Sequence, residues 1–260
     1  MTPAWLLATL VVLAAPAGAE MVRIPAGSFT MGRDDGPADE RPAHRVTVGS
    51  FEIDREPVTN AGFARFLDAG GPTNRRGESL YDVDDPDARV HRRGDRWRAD
   101  PGYEDHPVVE ASWAGARDLC AWAGKRLPTE AEWEFAARGA DGRRYPWGPE
   151  PPDETRARFA AGWNATAPVG AHPAGAGPNG IRGMAGNAWQ WVSSAYRPYP
   201  YRPDDGREEQ GDVSVERVTR GGGHDARHDE LTTTHRGRHV SRAPRAGHHN
   251  IGFRCARSLP

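Results

Sequence analysis

A chain of 260 residues is long enough to bury a real hydrophobic core and short enough to form one large domain or two small ones. Hydrophobic residues make up 37%, and 31 Gly with 23 Pro amount to about one residue in five, which excludes a fold dominated by long helices; 9 Trp, 6 Tyr and 7 Phe exclude wholesale disorder. With 34 Lys+Arg against 36 Asp+Glu, the net charge of -2 offers no field to nucleic acid or an acidic membrane, so neither is expected as a partner.

The run from Trp5 to Ala15 is apolar but too short for a bilayer of ~30 Å, which takes roughly 20 such residues as a helix. Pro16 and the small-x-small string Ala17-Gly18-Ala19 follow, so residues 1–19 are expected to be a removable signal peptide, although the amino terminus is its only positive charge. Residues 20–260 then form the mature protein, expected in the periplasm, with no membrane span after signal removal. Export places thiols in an oxidising compartment, and the only two cysteines, Cys120 and Cys255, become candidates for one disulfide. Closing that loop of about 135 residues is worth about 4 to 5 kcal/mol in the chain-entropy model.

Residues 21–32, MVRIPAGSFTMG, read as two short strands around a Pro-Ala-Gly turn, and Arg45 to Ile53 alternates in strand fashion. Thr59 can cap a helix with Phe63, Phe66 and Leu67 on one face and Gly70 at its end. Residues 70–106 show no period and read as a long polar surface excursion; their aspartates Asp82, Asp84, Asp85 and Asp87 lack a closing Glu at EF-hand spacing and read as a solvated acidic turn. Ser112 caps a second helix through Ala123 that buries Cys120, and Thr129 with Glu132 forms a capping box opening a third helix to Gly139. These two helices are expected to pack as a pair. Beyond Gly139 only short strands and turns follow, with no repeat and no linker, which gives one α+β domain.

Four strings stand out: VRIPAGSFTMG at 22–32, WAGKRLPTEAEWEFAARG at 122–139, GMAGNAWQWV at 183–192, and RGGG at 220–223 with NIGFRCARS at 250–258. In this order the chain resembles the formylglycine-generating enzyme family, also called sulfatase-modifying factors, over essentially its whole mature length. The resemblance implies a single domain of that fold, related to C-type lectin-like folds and low in regular secondary structure, and a structural bridge between Cys120 and Cys255. It also implies a copper centre of two cysteines after the Arg-Gly-Gly string that activates dioxygen to oxidise a substrate cysteine. Here the matching positions are Ala226 and Leu231, which offer copper no sulfur. A working formylglycine-generating enzyme is therefore not expected. The family's calcium ligands, a Glu in GNxWEW and an Asn before it, are replaced by Gln190 and Gly183, so calcium is not expected there. Trp189 and Asn250 match residues lining the family's active-site region.

The altered stretch carries His224, Asp225, His228, Asp229, Glu230, His235 and His239, with His248 and His249 beyond. Imidazole and carboxylate donors suit zinc, ferrous iron or Cu(II), which makes His224, His228 and His235 candidate metal ligands, with iron or copper as the redox ions. The plainer reading of the same stretch is a polar rim of solvated or hydrogen-bonded histidines, since its spacing matches no tight ligand signature. Catalytic candidates are His224, His228, Asp229 and Glu230 as base or ligand, with Trp189 and Asn250 shaping the pocket. The family also includes periplasmic members without the copper cysteines, among them the pyoverdine-maturation oxidases, which implies oxidative maturation of a periplasmic protein, peptide or small molecule. The alternative is a non-catalytic lectin-like module for binding or assembling a periplasmic partner. For it, Trp163, Trp189, Trp191, Tyr196, Tyr199 and Tyr201 are a candidate aromatic surface, with Trp189 and Trp191 assigned to packing and the tyrosines expected to be exposed. No GxxxxGK[ST], GxSxG or HExxH string is present, which speaks against nucleotide hydrolysis and ordinary serine or zinc hydrolysis.

Overall fold

A computed structural model describes residues 20–237 and 243–259; the proposed signal peptide and His239 lie outside them. The two ends of the described chain meet on one strand. β4 (Phe51–Asp54) lies between β1 (Met21–Ile24) and β10 (Ala256–Ser258), antiparallel to both. β2 (Gly27–Met31) pairs with β3 (His44–Val48) in a separate sheet, so the two strands flanking Pro25-Ala26 enter different sheets.

The three helices arise where their caps place them. In α1 (Asn60–Gly70) the Thr59 hydroxyl accepts from the Gly62 amide at 3.2 Å, and in α2 (Trp113–Trp122) the Ser112 hydroxyl accepts from Gly115 at 3.0 Å. α3 (Glu130–Arg138) opens with the full capping box of Thr129 and Glu132 and stops at Gly139, whose φ of 68° favours glycine. α2 and α3 do not form the expected pair. α2 packs on α1 and on β7 (Trp189–Ala195) over a core of Phe63, Tyr81, Trp113, Trp191 and Phe253, whereas α3 packs on β2 and β3 over Phe29, Phe51, Ile53 and Val192. The reason is strand alternation: all seven residues of β7 are buried, and it turns Trp191 to one core and Val192 to the other. β7 is the centre of the third sheet, antiparallel to β8 (Arg217–Arg220) and parallel to β9 (Ile251–Phe253).

The excursion at 70–106 is more ordered than its lack of period predicts. β5 (Val90–Arg93) and β6 (Arg96–Ala99) form a hairpin around Gly94-Asp95, and Leu80, Tyr81, Ala88 and Val90 are buried. The Tyr81 hydroxyl accepts from the amides of Arg89 and Val90, so one side chain replaces the pattern that four-residue strands are too short to display.

Cys120 and Cys255 form the expected disulfide, which ties α2 to the segment entering β10. No helix among the described residues is long and apolar enough to cross a membrane.

The KRLPTEAEWE string is structural. Glu130 and Glu134, both fully buried, receive Arg220, Arg236 and Arg138: Arg236 Nε donates to Glu130 Oε1 at 2.7 Å, Arg220 bridges both carboxylates, and Arg138 donates to Glu134 Oε1 at 2.9 Å. Tyr199, expected exposed, is buried and donates to Glu130 Oε1 at 3.0 Å; Tyr201 is buried and donates to Glu208. Both hydroxyls find carboxylates inside, so the rings pack.

Candidate functional site

The strand ends of the third sheet and the turn after β8 enclose a cavity of about 420 Å³ lined by Trp189, Asp225, Ala226, Glu230, His235 and Asn250, with residues 37–39 and 236–237 closing it. Trp189 forms one wall because the chain comes close to its ring: a Cβ on Gly237 would lie 2.9 Å from the indole. Ala226 and Leu231 sit side by side against Gly222, where an added Cβ would lie 3.3 Å from Ala226 Cβ and 2.5 Å from Leu231 Cδ2. Both are buried hydrocarbon, and both cysteines of the chain are in the disulfide, so these residues do not fit a copper ion.

Among the described residues, three buried polar atoms near this cavity have no hydrogen-bond partner: His224 Nε2, His249 Nε2 and Asn250 Oδ1. His224 Nδ1 lies 3.1 Å from the Asn187 carbonyl, which fixes the proton on Nδ1 and leaves Nε2 as a bare lone pair; burial lowers the pKa of this imidazole and keeps it neutral. Asn250 Nδ2 donates to Asp225 Oδ2 at 3.1 Å and Oδ1 at 3.3 Å, and His249 Nε2 lies 3.5 Å from Asp225 Oδ2, near enough for charge but not a well-formed hydrogen bond. The His249 ring and the Asn250 amide hold Asp225 below the usual carboxylate range, against its partial burial. At the edge, Trp163, 70% exposed, stacks on His249 at 3.6 Å between ring centroids.

Of the residues singled out from sequence, Trp189, Asn250, Glu230 and His235 line the cavity, and His224 lies buried behind it. His228 and Asp229 do not line it. They are exposed on a single 3-10 turn, His228–Leu231, where Arg227 pairs with Asp229 and the Arg227 amide donates to Glu230 Oε2 at 2.6 Å. His235 is taken up by Glu40, 3.2 Å from its Nδ1. His224, His228 and His235 are therefore not brought together as a ligand set; among the described residues the one group of three metal-binding side chains within reach of one another is Asp82, Asp85 and Glu110, elsewhere in the fold. Asp225 and His249 stand out only in three dimensions, because their signal is mutual contact across the turn.

The place of the family's calcium is also occupied. Gln190 Oε1 accepts from Trp133 Nε1 at 2.9 Å and Arg254 Nε at 2.8 Å, and the Gly183 carbonyl accepts from Gln190 and Arg254. A buried guanidinium already uses the oxygens that a hard cation would need, so the residues there do not fit calcium.

A mixed α+β domain with a pocket beside an Arg-Gly-Gly turn defines the formylglycine-generating-enzyme class of fold. Residues 10–259 match the model of the FGE-sulfatase family, the sulfatase-modifying factor enzyme 1-like domain, and the chain belongs to that family. It is 39% identical over 280 residues to a formylglycine-generating enzyme of Streptomyces coelicolor, covering 90% of this chain and 88% of that protein. It is 38% identical over 250 residues to the serine/threonine-protein kinase Pkn1 of Chlamydia caviae, covering 94% of this chain but 39% of the kinase's length. The structure of PvdO from Pseudomonas aeruginosa superposes with a TM-score of 0.71 at 31% identity, over 93% of this chain and 95% of that one.

Proposed function

We propose that this protein is an exported, copper-free member of the family that carries out an oxidative maturation step on a periplasmic protein, peptide or small molecule bound in the Trp189 pocket. The observation that carries this reading is the conjunction at one place: hydrocarbon from Ala226 and Leu231 where the family resemblance implies copper thiolates, beside buried polar atoms without a hydrogen-bond partner among the described residues. Asp225, held ionised, is the general base, and Asn250 orients it. Without a redox ion, the electrons must come from a substrate whose own anion reduces dioxygen, such as an electron-rich phenol or enol. Asp225 removes its acidic proton, two electrons pass to dioxygen, and with two protons hydrogen peroxide is released as the substrate loses two hydrogens.

The test is mass spectrometry of periplasmic fractions from cells carrying the wild-type protein or Asp225→Asn. A species two hydrogens heavier should accumulate with the variant; its absence, or activation of a neighbouring sulfatase by the wild-type protein, overturns the reading. The non-catalytic module is favoured by one observation, the exposed Trp163 stacked at the pocket edge. In that case Trp163→Ala abolishes partner capture while Asp225→Asn leaves the periplasmic products unchanged.

A further inference from the structure

The acidic turn at 82–87 lacks a closing glutamate in sequence, and the fold supplies one from a distant segment. Glu110 precedes α2, its carbonyl accepts from the Asp82 amide at 3.0 Å, and its amide donates to the His248 carbonyl at 3.1 Å. This pairing holds Glu110 at a φ of 60°, unusual for a residue with a side chain, and directs its carboxylate to the aspartates. One oxygen each from Asp82, Asp85 and Glu110 lies within 4.8 Å of the others.

A second observation separates this group from an ordinary acidic cluster. Glu110 is 2% exposed, and its carboxylate has no hydrogen bond or ion pair among the described residues. Gly247 packs against it so closely that a Cβ there would lie 2.5 Å from Glu110 Oε2, which shuts out solvent on that side. A buried carboxylate beside two others is strongly unfavourable unless a cation or a proton compensates it. Burial, then Asp85, Asp82 and Asp87, push Glu110 up to about 8.

We propose that Asp82, Asp85 and Glu110 form a calcium site, separate from the place of the family's calcium, where Arg254 sits. Oxygens bound to calcium at 2.3–2.6 Å stand at most about 4.6 to 5.2 Å apart, so three oxygens within 4.8 Å of one another can share one ion, and an irregular set of carboxylates suits flexible calcium better than the strict octahedron of magnesium. Nitrogen and sulfur donors, which zinc prefers, are absent from the group. The ion has a consequence for the pocket edge. Asp85 Oδ1 accepts from the Asp87 amide at 2.8 Å, and Asp87 Oδ2 accepts from Trp163 Nε1 at 2.6 Å, so ordering the turn orders the indole that stacks on His249.

The experiment is calcium titration of chelator-treated full-length mature protein, followed by calorimetry, thermal melting and tryptophan fluorescence, with Asp85→Asn and Glu110→Gln as variants. The wild type should bind one calcium per chain, melt higher when saturated, and bind magnesium at least tenfold more weakly. Each variant should lose calcium affinity at least a hundredfold. Glu110→Gln without calcium should melt no lower than the calcium-free wild type, because it removes a buried acid that lacks a partner among the described residues, and this shows that the variant is folded. No binding by the wild type at millimolar calcium, or binding unchanged in folded Glu110→Gln, overturns the proposal. Neither result bears on the oxidation chemistry, which is read from Asp225→Asn.

Discussion

Two buried polar clusters meet at Arg236, which donates to Glu130 and also lines the Trp189 pocket, and they are built on opposite principles. Beneath α3 the carboxylates of Glu130 and Glu134 accept from Arg138, Arg220, Arg236, Tyr199 and the Gly32 amide, so the buried acids are saturated with donors. Around the Trp189 pocket, His224 Nε2, His249 Nε2 and Asn250 Oδ1 have no hydrogen-bond partner among the described residues although each is buried. Saturation makes a cluster rigid and chemically silent, whereas an open buried donor or acceptor is unfavourable until a ligand arrives. The family's most distinctive string, KRLPTEAEWE, thus supports the first cluster, and the altered turn after β8 carries the second.

The comparison is tested most severely by Arg220→Met. Removing the guanidinium leaves Glu130 and Glu134 under-compensated in the interior, and a loss of about 3 to 5 kcal/mol is expected in urea denaturation. A loss below about 1 kcal/mol would mean that the first cluster is not structural.

Glu40 provides a pH-dependent version of the same test. Burial alone would raise its pKa, but hydrogen bonds from His235, Thr234 and Arg33 overcome this and bring it from 4.5 to about 2. A folded-state value below the unfolded one adds stability that is fully present above pH 4.5 and is lost as pH falls towards 2, about 3 kcal/mol in all. Wild-type stability measured between pH 5 and pH 2 should show this slope, and Glu40→Gln should flatten it.

At the pocket the expectation reverses. His224→Phe removes an imidazole with an open nitrogen, so the loss of its single side-chain bond to Asn187 is offset and stability should change by less than about 1 kcal/mol. A destabilisation matching that of Arg220→Met would place His224 in the structural class. The smallest effect is expected from Trp163→Ala, within about 0.5 kcal/mol in stability because the ring is exposed, with a measurable loss of ligand or partner affinity.

Much of the architecture is legible along the chain. Thr59, Ser112 and Thr129 announce their helices because a cap is a contact between neighbours in sequence, and the two cysteines leave one pairing to form. The hairpin at 90–99 is hidden because its strands are four residues long, and the burial of Tyr199 and Tyr201 is hidden because their carboxylate partners lie in other parts of the chain. Of the pocket, Trp189 and Asn250 follow from the family strings. The grouping of Asp225 with His249, and the separation of His228 and Asp229 from both, depend on how one turn folds back on another.

The order of residues alone determined the family, the helix starts and the loss of sulfur at positions 226 and 231, since each of these is a local or compositional property. Only the tertiary structure decided which polar groups are satisfied and which are left open. Whether a buried nitrogen or oxygen finds a partner depends on segments far apart in the chain arriving within about 3 Å of it. Glu110 is the clearest case: nothing near it in the chain marks it, and the folded protein places it against an acidic turn from which its role as a ligand is inferred.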